Sequence, residues 1–309
     1  MNAWRLHAWW AVAAGLGVMA VLQPVALYLC ALAVFGLPHV LWEMVWVRRV
    51  WGKALPTTFW FAIALAVGLQ GAARLLLWLG RIDASSAAAI DAATLALVLL
   101  CTAWVLPRVP RARRALVGCL SVLIPVVLVA VSDTPYVMGV LAVLAMAHNF
   151  TPLGLMPAQA SIGPWPARQV LGVMFAGPVL LFVGLWWSCL APAIHYPAGP
   201  AEWQWVQRQA NPLANALLPA LVWAQCLHYL CVLYLMPRSL GQAWSGIPWQ
   251  PLVLLLCCLM TAGFWVDYKA ARGLYAVVAG MHAWLEWPLI LLGVAGATVP
   301  MIVQTEKTG

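Results

Sequence analysis

The chain contains few charged residues, and this shortage decides its structural class. Only 8% of its 309 residues are charged, whereas 65% are hydrophobic. A soluble domain carries roughly 25% charged residues, so most of this protein's surface must face a lipid bilayer. The sequence therefore predicts an all-α, polytopic transmembrane helical bundle.

Motifs of common soluble enzymes are also missing. The sequence contains no phosphate-binding P-loop, no GxSxG or HExxH motif and no aspartate-rich prenyltransferase motif. Its eight cysteines form no CxxC pair and lie in apolar runs, so neither a disulfide framework nor a cysteine metal site is indicated. The formal net charge of +8 does not indicate a nucleic-acid partner, because the basic residues lie in short loops between apolar runs.

Apolar runs that approach or exceed the roughly 20 residues of a membrane-spanning helix follow one another along the chain. They cover residues 9–22, 25–47, 57–80, 87–106, 115–132, 134–157, 168–192, 212–236, 249–267 and 273–302. We interpret the first run as a retained helix, because no convincing small-residue cleavage site of a signal peptide follows it. No linker or clear repeat interrupts the pattern. Residues 1–309 are therefore predicted to form a single transmembrane domain of about nine or ten helices.

The basic residues in the loops predict the orientation. In the ten-helix arrangement most of them fall on one side, among them Arg48, Arg49, Arg113 and Arg114. The positive-inside rule places that side in the cytoplasm. We therefore expect both termini in the cytoplasm.

Four histidines in the apolar runs carry the strongest functional signal, because polar residues inside a membrane are costly. His39, His148, His228 and His282 each lie in a different predicted helix. In the ten-helix arrangement these helices run in the same direction, and the histidines lie roughly 14–24 Å below the helix starts. The four imidazoles are thus predicted to meet in one layer of the bundle, although one helix fewer at the N-terminus would reverse the depth of His39.

Two carboxylates accompany these histidines. Glu43 follows His39 by four positions and Glu286 follows His282 by four, so each pair shares one helix face. Imidazoles and carboxylates on facing helices are typical ligands of iron in helical bundles. The predicted metal ligands are His39, His148, His228, His282 and Glu286. Residues predicted to support these ligands from a second layer are Glu43, Asn149 and Tyr229.

Other polar and aromatic residues are predicted to form a structural ion pair and a substrate pocket. Arg74 and Asp91 lie in adjacent predicted helices and are expected to form a structural ion pair. The aromatic residues near the histidines are predicted to line a pocket for a large apolar ligand that enters from the bilayer. They are Trp42, Phe150, Trp223, Trp284 and Trp287. Three alternatives stay open. The aromatic residues and the histidines can both be ordinary packing residues of the helical core, and Glu43 can be a charged residue at the membrane interface.

Several short segments resemble the Brp/Blh family of bacterial membrane β-carotene dioxygenases. GLPHVLWE (36–43) resembles that family's GxPHGxxD element, although Val40 and Glu43 stand where the family has glycine and aspartate. AHNF (147–150) is similar to its S-x-x-H-F-type element, and YLCVLYLMPRSL (229–240) to an aromatic-rich stretch ending in H-S-x-R-H-L. The segment around His282 is similar to a late histidine helix of the family. The resemblance implies iron held by His39, His148 and His282, and cleavage of β-carotene to retinal.

These observations together predict an integral protein of the bacterial inner membrane. The leading hypothesis is an oxygenase with non-haem Fe(II), which uses O2 and acts on a hydrophobic, carotenoid-like small molecule. One alternative is a b-type haem protein for electron transfer or quinone chemistry, because haem b takes axial histidines from two helices. A third hypothesis is a transporter or assembly factor without enzymatic activity. Neither the substrate nor the oligomeric state follows from the sequence.

Overall fold

A computed structural model describes residues 3–131, 136–156, 161–162, 165–188, 212–239 and 250–295 of the chain. These residues are almost entirely helical. Two very short strands, β1 (Ser161–Ile162) and β2 (Trp165–Pro166), pair antiparallel. The all-α prediction is therefore confirmed for the described part of the chain.

The helices follow the predicted apolar runs. They are α1 Ala3–Leu22, α2 Pro24–Trp51, α3 Thr57–Trp78, α4 Ala84–Cys101, α5 Arg111–Val131, α6 Tyr136–Ala147, α7 Thr151–Leu155, α8 Ala167–Ser188, α9 Pro212–Leu230, α10 Met236–Ser239, α11 Gln250–Val266 and α12 Tyr268–Val294. A 3₁₀ segment, Thr102–Arg108, continues α4, and a π-helical turn, Cys231–Leu235, joins α9 to α10.

Seven helical segments in the described part of the chain are long and apolar enough to cross a membrane. They are Pro24–Trp51, Thr57–Trp78, Ala84–Pro107, Arg111–Val131, Ala167–Trp187, Ala216–Leu235 and Tyr268–Gly293. Two shorter apolar helices cover His7–Leu22 and Pro251–Val266. The protein is therefore an integral membrane protein with a polytopic helical fold.

The predicted span 134–157 is the main departure from expectation. The structure ends α6 at Ala147, passes through a 3₁₀ turn at His148–Phe150 and resumes as the short α7. Pro152 explains the break, because it lacks a backbone N–H and its ring would clash with the carbonyl of residue 148 in a continuous α-helix. His148 consequently lies in a tight turn rather than in the interior of a long helix.

The chain divides into two compact units. Unit 1 comprises Met1–His39 and Asn149–Tyr268, and unit 2 comprises Val40–His148 and Lys269–Gly309. The first boundary falls inside α2, directly after His39. The prediction of a single transmembrane domain stays a prediction.

In unit 1, α1, α8 and α9 pack around the indole of Trp223. Trp223 Nε1 donates a hydrogen bond of 2.9 Å to the Ala13 carbonyl of α1. A Cβ atom at Gly17 of α1 would lie 2.8 Å from this indole, and one at Gly177 of α8 only 2.5 Å from it. The two glycines therefore allow the three helices to approach closely, as small residues do in membrane bundles.

In unit 2, α4 packs against α3, α5 and α6 through fully buried side chains such as Leu95 and Leu99. Asp83 caps its N-terminus and accepts hydrogen bonds of 2.7 Å from the Ser86 backbone N–H and the Ser85 hydroxyl. These hydrogen bonds hold the pKa of the exposed Asp83 carboxyl below its ordinary value. The cap thus fixes where α4 begins.

Candidate metal centre

Three fully buried side chains of unit 2 converge on one point. His282 Nε2 lies 3.3 Å from Glu43 Oε2 and 3.1 Å from Glu286 Oε1. Glu43 belongs to the second half of α2, whereas His282 and Glu286 lie one turn apart on α12. His282 is 2% exposed and both glutamates are 0% exposed. One ligand atom from each of the three residues lies within 4.8 Å of the others, close enough to hold a metal ion.

The backbone fixes which nitrogen of His282 faces the carboxylates. Its Nδ1 lies 3.0 Å from the Ala279 carbonyl oxygen, so we assign the N–H to Nδ1, which donates to that carbonyl. Nε2 is then left to face the two carboxylates with its lone pair. A lone pair and two carboxylates repel one another in a low-dielectric site. A proton shared among the three groups, or a metal ion between them, would relieve this repulsion.

The observed separations suit a metal ion. Two ligands held at about 2.1 Å from one metal lie roughly 3.0–3.4 Å apart in octahedral or tetrahedral geometry. The distances from His282 Nε2 to Glu43 and Glu286, 3.3 and 3.1 Å, fall in this range. In addition, Glu286 Oε2 has no hydrogen-bond partner among the described residues, although it is buried. Because a buried carboxylate oxygen without a hydrogen-bond partner is costly, a divalent cation would stabilise this cluster.

His148 stands beside the same cluster in unit 2. Its ring centroid lies 5.3 Å from that of His282, with the two ring planes at 89°. The turn that follows α6 places this half-buried imidazole edge-on to its neighbour. Unit 2 thus brings together His148, His282 and Glu286, all predicted ligands, with Glu43, which was predicted to lie in the supporting layer.

The other two predicted ligands form a pair in unit 1. The ring centroids of His39 and His228 lie 5.2 Å apart, and both residues are buried. His39 Nδ1 lies 3.2 Å from the Phe35 carbonyl oxygen, so the N–H is assigned to Nδ1 here as well. Tyr229 lies against His39, with 4.3 Å between ring centroids, and its hydroxyl accepts a 2.6 Å hydrogen bond from Gln225. The prediction that all four histidines share one site joins residues of both units and stays a prediction.

The π-helical turn Cys231–Leu235 begins three residues after His228. Single π-helical turns inside α-helices are frequent at functional sites. Sequence reasoning missed this turn, because nothing in an apolar run distinguishes i→i+5 from i→i+4 hydrogen bonding. The turn changes the rotation of the chain between His228 and α10.

The predicted pocket residues occupy different environments. Trp223 packs between the glycines described above, and Trp284 is 2% exposed and donates a 3.1 Å hydrogen bond to the Asp91 carbonyl oxygen. Phe150 packs against Phe175, with 5.3 Å between ring centroids. Asn149, which was predicted to support the ligands from a second layer, is buried. The other two predicted pocket residues, Trp42 and Trp287, are half-buried. The apolar tunnel expected between them stays a prediction.

The expected ion pair between Arg74 and Asp91 is present, which confirms that prediction.

No protein-family model, curated protein or solved structure matches the chain. The site must therefore be interpreted from its own chemistry.

Proposed function

We propose that the protein is a membrane-embedded, non-haem iron oxidoreductase that acts as an oxygenase on a lipid-soluble substrate. One observation carries the proposal: Glu43, His282 and Glu286 converge in completely buried positions on helices that are apolar enough to cross a membrane. Intramembrane ionisable residues that lie in contact with one another commonly mark functional sites.

The donor set supports iron. Imidazole nitrogen and carboxylate oxygen together suit Fe(II), which in such sites keeps open coordination positions for O2 chemistry. In the proposal, His282, Glu43 and Glu286 hold the ion, and His148 is close enough to complete the set. Ala279 fixes the tautomer of His282 through its carbonyl, as backbone groups commonly do behind metal-bound histidines. The two carboxylates neutralise the charge of a divalent ion.

The surroundings of the cluster support an apolar substrate. The three side chains are at most 2% exposed, so the site excludes bulk water, and aromatic residues are abundant near the histidines. Together with the resemblance to the Brp/Blh family, this supports a carotenoid-like substrate. The proposed reaction breaks one carbon–carbon double bond of the substrate, and each carbon receives one atom of O2, so that two carbonyl products form.

The proposed location is the bacterial inner membrane, with both termini in the cytoplasm. The support is the distribution of basic residues: Arg48 and Arg49 end α2, and Arg111, Arg113 and Arg114 begin α5. These two helix ends belong to the side that the positive-inside rule assigns to the cytoplasm.

The metal content of the purified protein tests the proposal. We expect about one iron per chain by elemental mass spectrometry and loss of that iron in His282→Ala. His7→Ala is the matched control, because His7 is exposed and lies outside the cluster. The iron-loaded protein in lipid nanodiscs is then incubated with β-carotene and O2, and the products are separated by chromatography. A wild-type protein that takes up no iron or other transition metal contradicts the proposal, whereas iron without carotenoid cleavage contradicts only the substrate.

A further inference from the structure

Helix α12 carries the metal cluster on one face and contacts its neighbours with the other. Successive residues of an α-helix are rotated by about 100°. His282 and Glu286 therefore project about 40° apart, whereas Gly280 and Trp284 point roughly 120–160° away from them. The contacts that Gly280 and Trp284 make with neighbouring helices therefore determine the direction in which the two ligands point.

Close packing against α3 holds the face with Gly280. A Cβ atom at Gly280 would lie 2.5 Å from Gln70 Nε2, and one at Gly71 of α3 would lie 2.5 Å from Met281 Sδ. Each helix therefore lacks a side chain where the other inserts one. This interlocking fixes both the separation of α3 and α12 and the rotation of α12.

Hydrogen bonding to α4 holds Trp284. Its indole N–H donates to the main-chain carbonyl of Asp91 at 3.1 Å, and Trp284 is among the largest fully buried side chains of the described residues. The side chain of Asp91 in turn forms an ion pair with Arg74 of α3. The Asp91 carboxylate is 2% exposed, whereas the Arg74 side chain is 29% exposed. Arg74 therefore compensates a buried charge and ties α4 to α3 at the level of Trp284.

We propose that Arg74, Asp91 and Trp284 are positioning residues of the metal cluster: together they set the rotation of α12 that aims His282 and Glu286 at Glu43. The inference rests on the proposed function, because it assigns to these three residues the task of shaping a metal site. None of them is a ligand in the proposal. Functional constellations must be held within about 0.5 Å and 10–20° of their productive geometry, so a small rotation of α12 would separate His282 Nε2 from Glu43.

Titration of the purified, metal-free protein with Co(II) tests the inference, because the visible d–d bands of Co(II) report the geometry of its ligands. Trp284→Phe keeps a buried aromatic ring but removes the N–H that reaches Asp91, together with part of the ring volume. Trp51→Phe is the matched control, because Trp51 is also buried in unit 2 (3% exposed) and its N–H has no hydrogen-bond partner among the described residues. Arg74→Met removes the partner of the Asp91 carboxylate, and Arg74→Lys retains the charge.

We expect Trp284→Phe and Arg74→Met to bind Co(II) about tenfold more weakly than wild type and to shift the d–d bands. Trp51→Phe should match wild type in both measurements, and Arg74→Lys should restore most of the affinity lost in Arg74→Met. Should Arg74→Met fail to fold, as judged by circular dichroism and gel filtration, Trp284→Phe decides the question. Wild-type affinity and bands in a folded Trp284→Phe protein overturn the inference.

The same titration separates this inference from the proposed function. If wild type binds no Co(II), the metal site itself is wrong and the inference falls with it. If wild type binds Co(II) and His282→Ala does not, the site stands. In that case the Co(II) affinities and d–d bands of Trp284→Phe and Arg74→Met test only whether these residues position the ligands.

Discussion

The Nε2 atom of His282 lies 3.3 Å from Oε2 of Glu43, a residue 239 positions earlier in the chain. Both side chains are buried, and the contact joins α12 to the second half of α2. With Glu286 on the same nitrogen, the cluster contains more negative charge than one imidazolium compensates. If both carboxylates are ionised, a divalent metal ion would neutralise this excess charge. The direction of the effect expected in several experiments follows from this.

Glu43→Gln and Glu286→Gln should each weaken iron binding by at least about tenfold, and the double variant should bind none. In the structure both side chains are 0% exposed, so we expect comparable losses. Chelator competition measures the affinities. Asp83→Asn is the control, because Asp83 is exposed and asparagine also caps helices. Wild-type affinity in both single variants would show that neither glutamate is a ligand.

The stability of the same variants should depend on the metal. Without metal, removal of one buried carboxylate relieves repulsion, so Glu286→Gln should unfold at a higher temperature than wild type. With iron in excess, wild type should be the more stable protein, because a ligand that binds only the folded state stabilises it. Thermal unfolding in detergent, with and without iron, measures which of the two proteins unfolds at the higher temperature under each condition. If the same protein is the more stable one under both conditions, the cluster does not bind metal.

The visible spectrum should distinguish non-haem iron from haem b. We expect the purified protein to contain iron without an intense Soret band, because two carboxylates beside one imidazole suit an ion bound directly by side chains. Absorption spectra are recorded before and after reduction with dithionite, next to the elemental analysis. A Soret band in proportion to iron would replace the leading proposal with the electron-transfer alternative.

The two histidines of unit 1 provide the test of a four-histidine site. If His39 and His228 share the metal with His148 and His282, replacing either by alanine should lower the iron content as strongly as His148→Ala does. The sequence predicts this loss, because it places all four histidines at a similar depth. Full iron content in both variants, with loss in His282→Ala, would restrict the metal to unit 2.

Two glycines of α8 should respond in opposite directions to alanine. Gly177→Ala inserts a methyl group 2.5 Å from the rigid indole of Trp223, which should lower stability by about 1–3 kcal/mol. Gly172→Ala meets nothing within 4 Å and should raise stability by up to about 1 kcal/mol through helix propensity. Denaturation in detergent micelles measures both variants. Equal effects would show that Trp223 does not pack as described.

Single cysteines at exposed loop positions should report the orientation of the membrane helices. Lys53 and Arg81 are both exposed and lie at opposite ends of α3. With cytoplasmic termini, a membrane-impermeant maleimide applied to intact spheroplasts should label Arg81→Cys but not Lys53→Cys, against the background of the wild-type cysteines. Labelling of Lys53→Cys alone would reverse the proposed orientation.

Local patterns in the sequence were sufficient for the helical class and for part of the site. Long apolar runs leave the backbone no solvent partner, so these segments must form their own hydrogen bonds as helices. The spacing of His282 and Glu286 places them on one face of any α-helix, whatever surrounds it. The pairing of Arg74 with Asp91 followed for a similar reason, because two opposite charges in adjacent apolar segments stabilise each other.

Only the tertiary structure decided which faces of the helices point towards one another. That Glu43 contacts the same nitrogen as Glu286 depends on the rotation of two helices whose sequences are apolar on every side, and hydrophobicity alone sets no rotation in lipid. Trp284 lies on the face of α12 opposite the two ligands, where its N–H donates to the Asp91 carbonyl. Its place in a substrate pocket stays a prediction. Helix rotation in a membrane is set by close packing and by a few buried polar contacts, and these form between residues far apart in the chain.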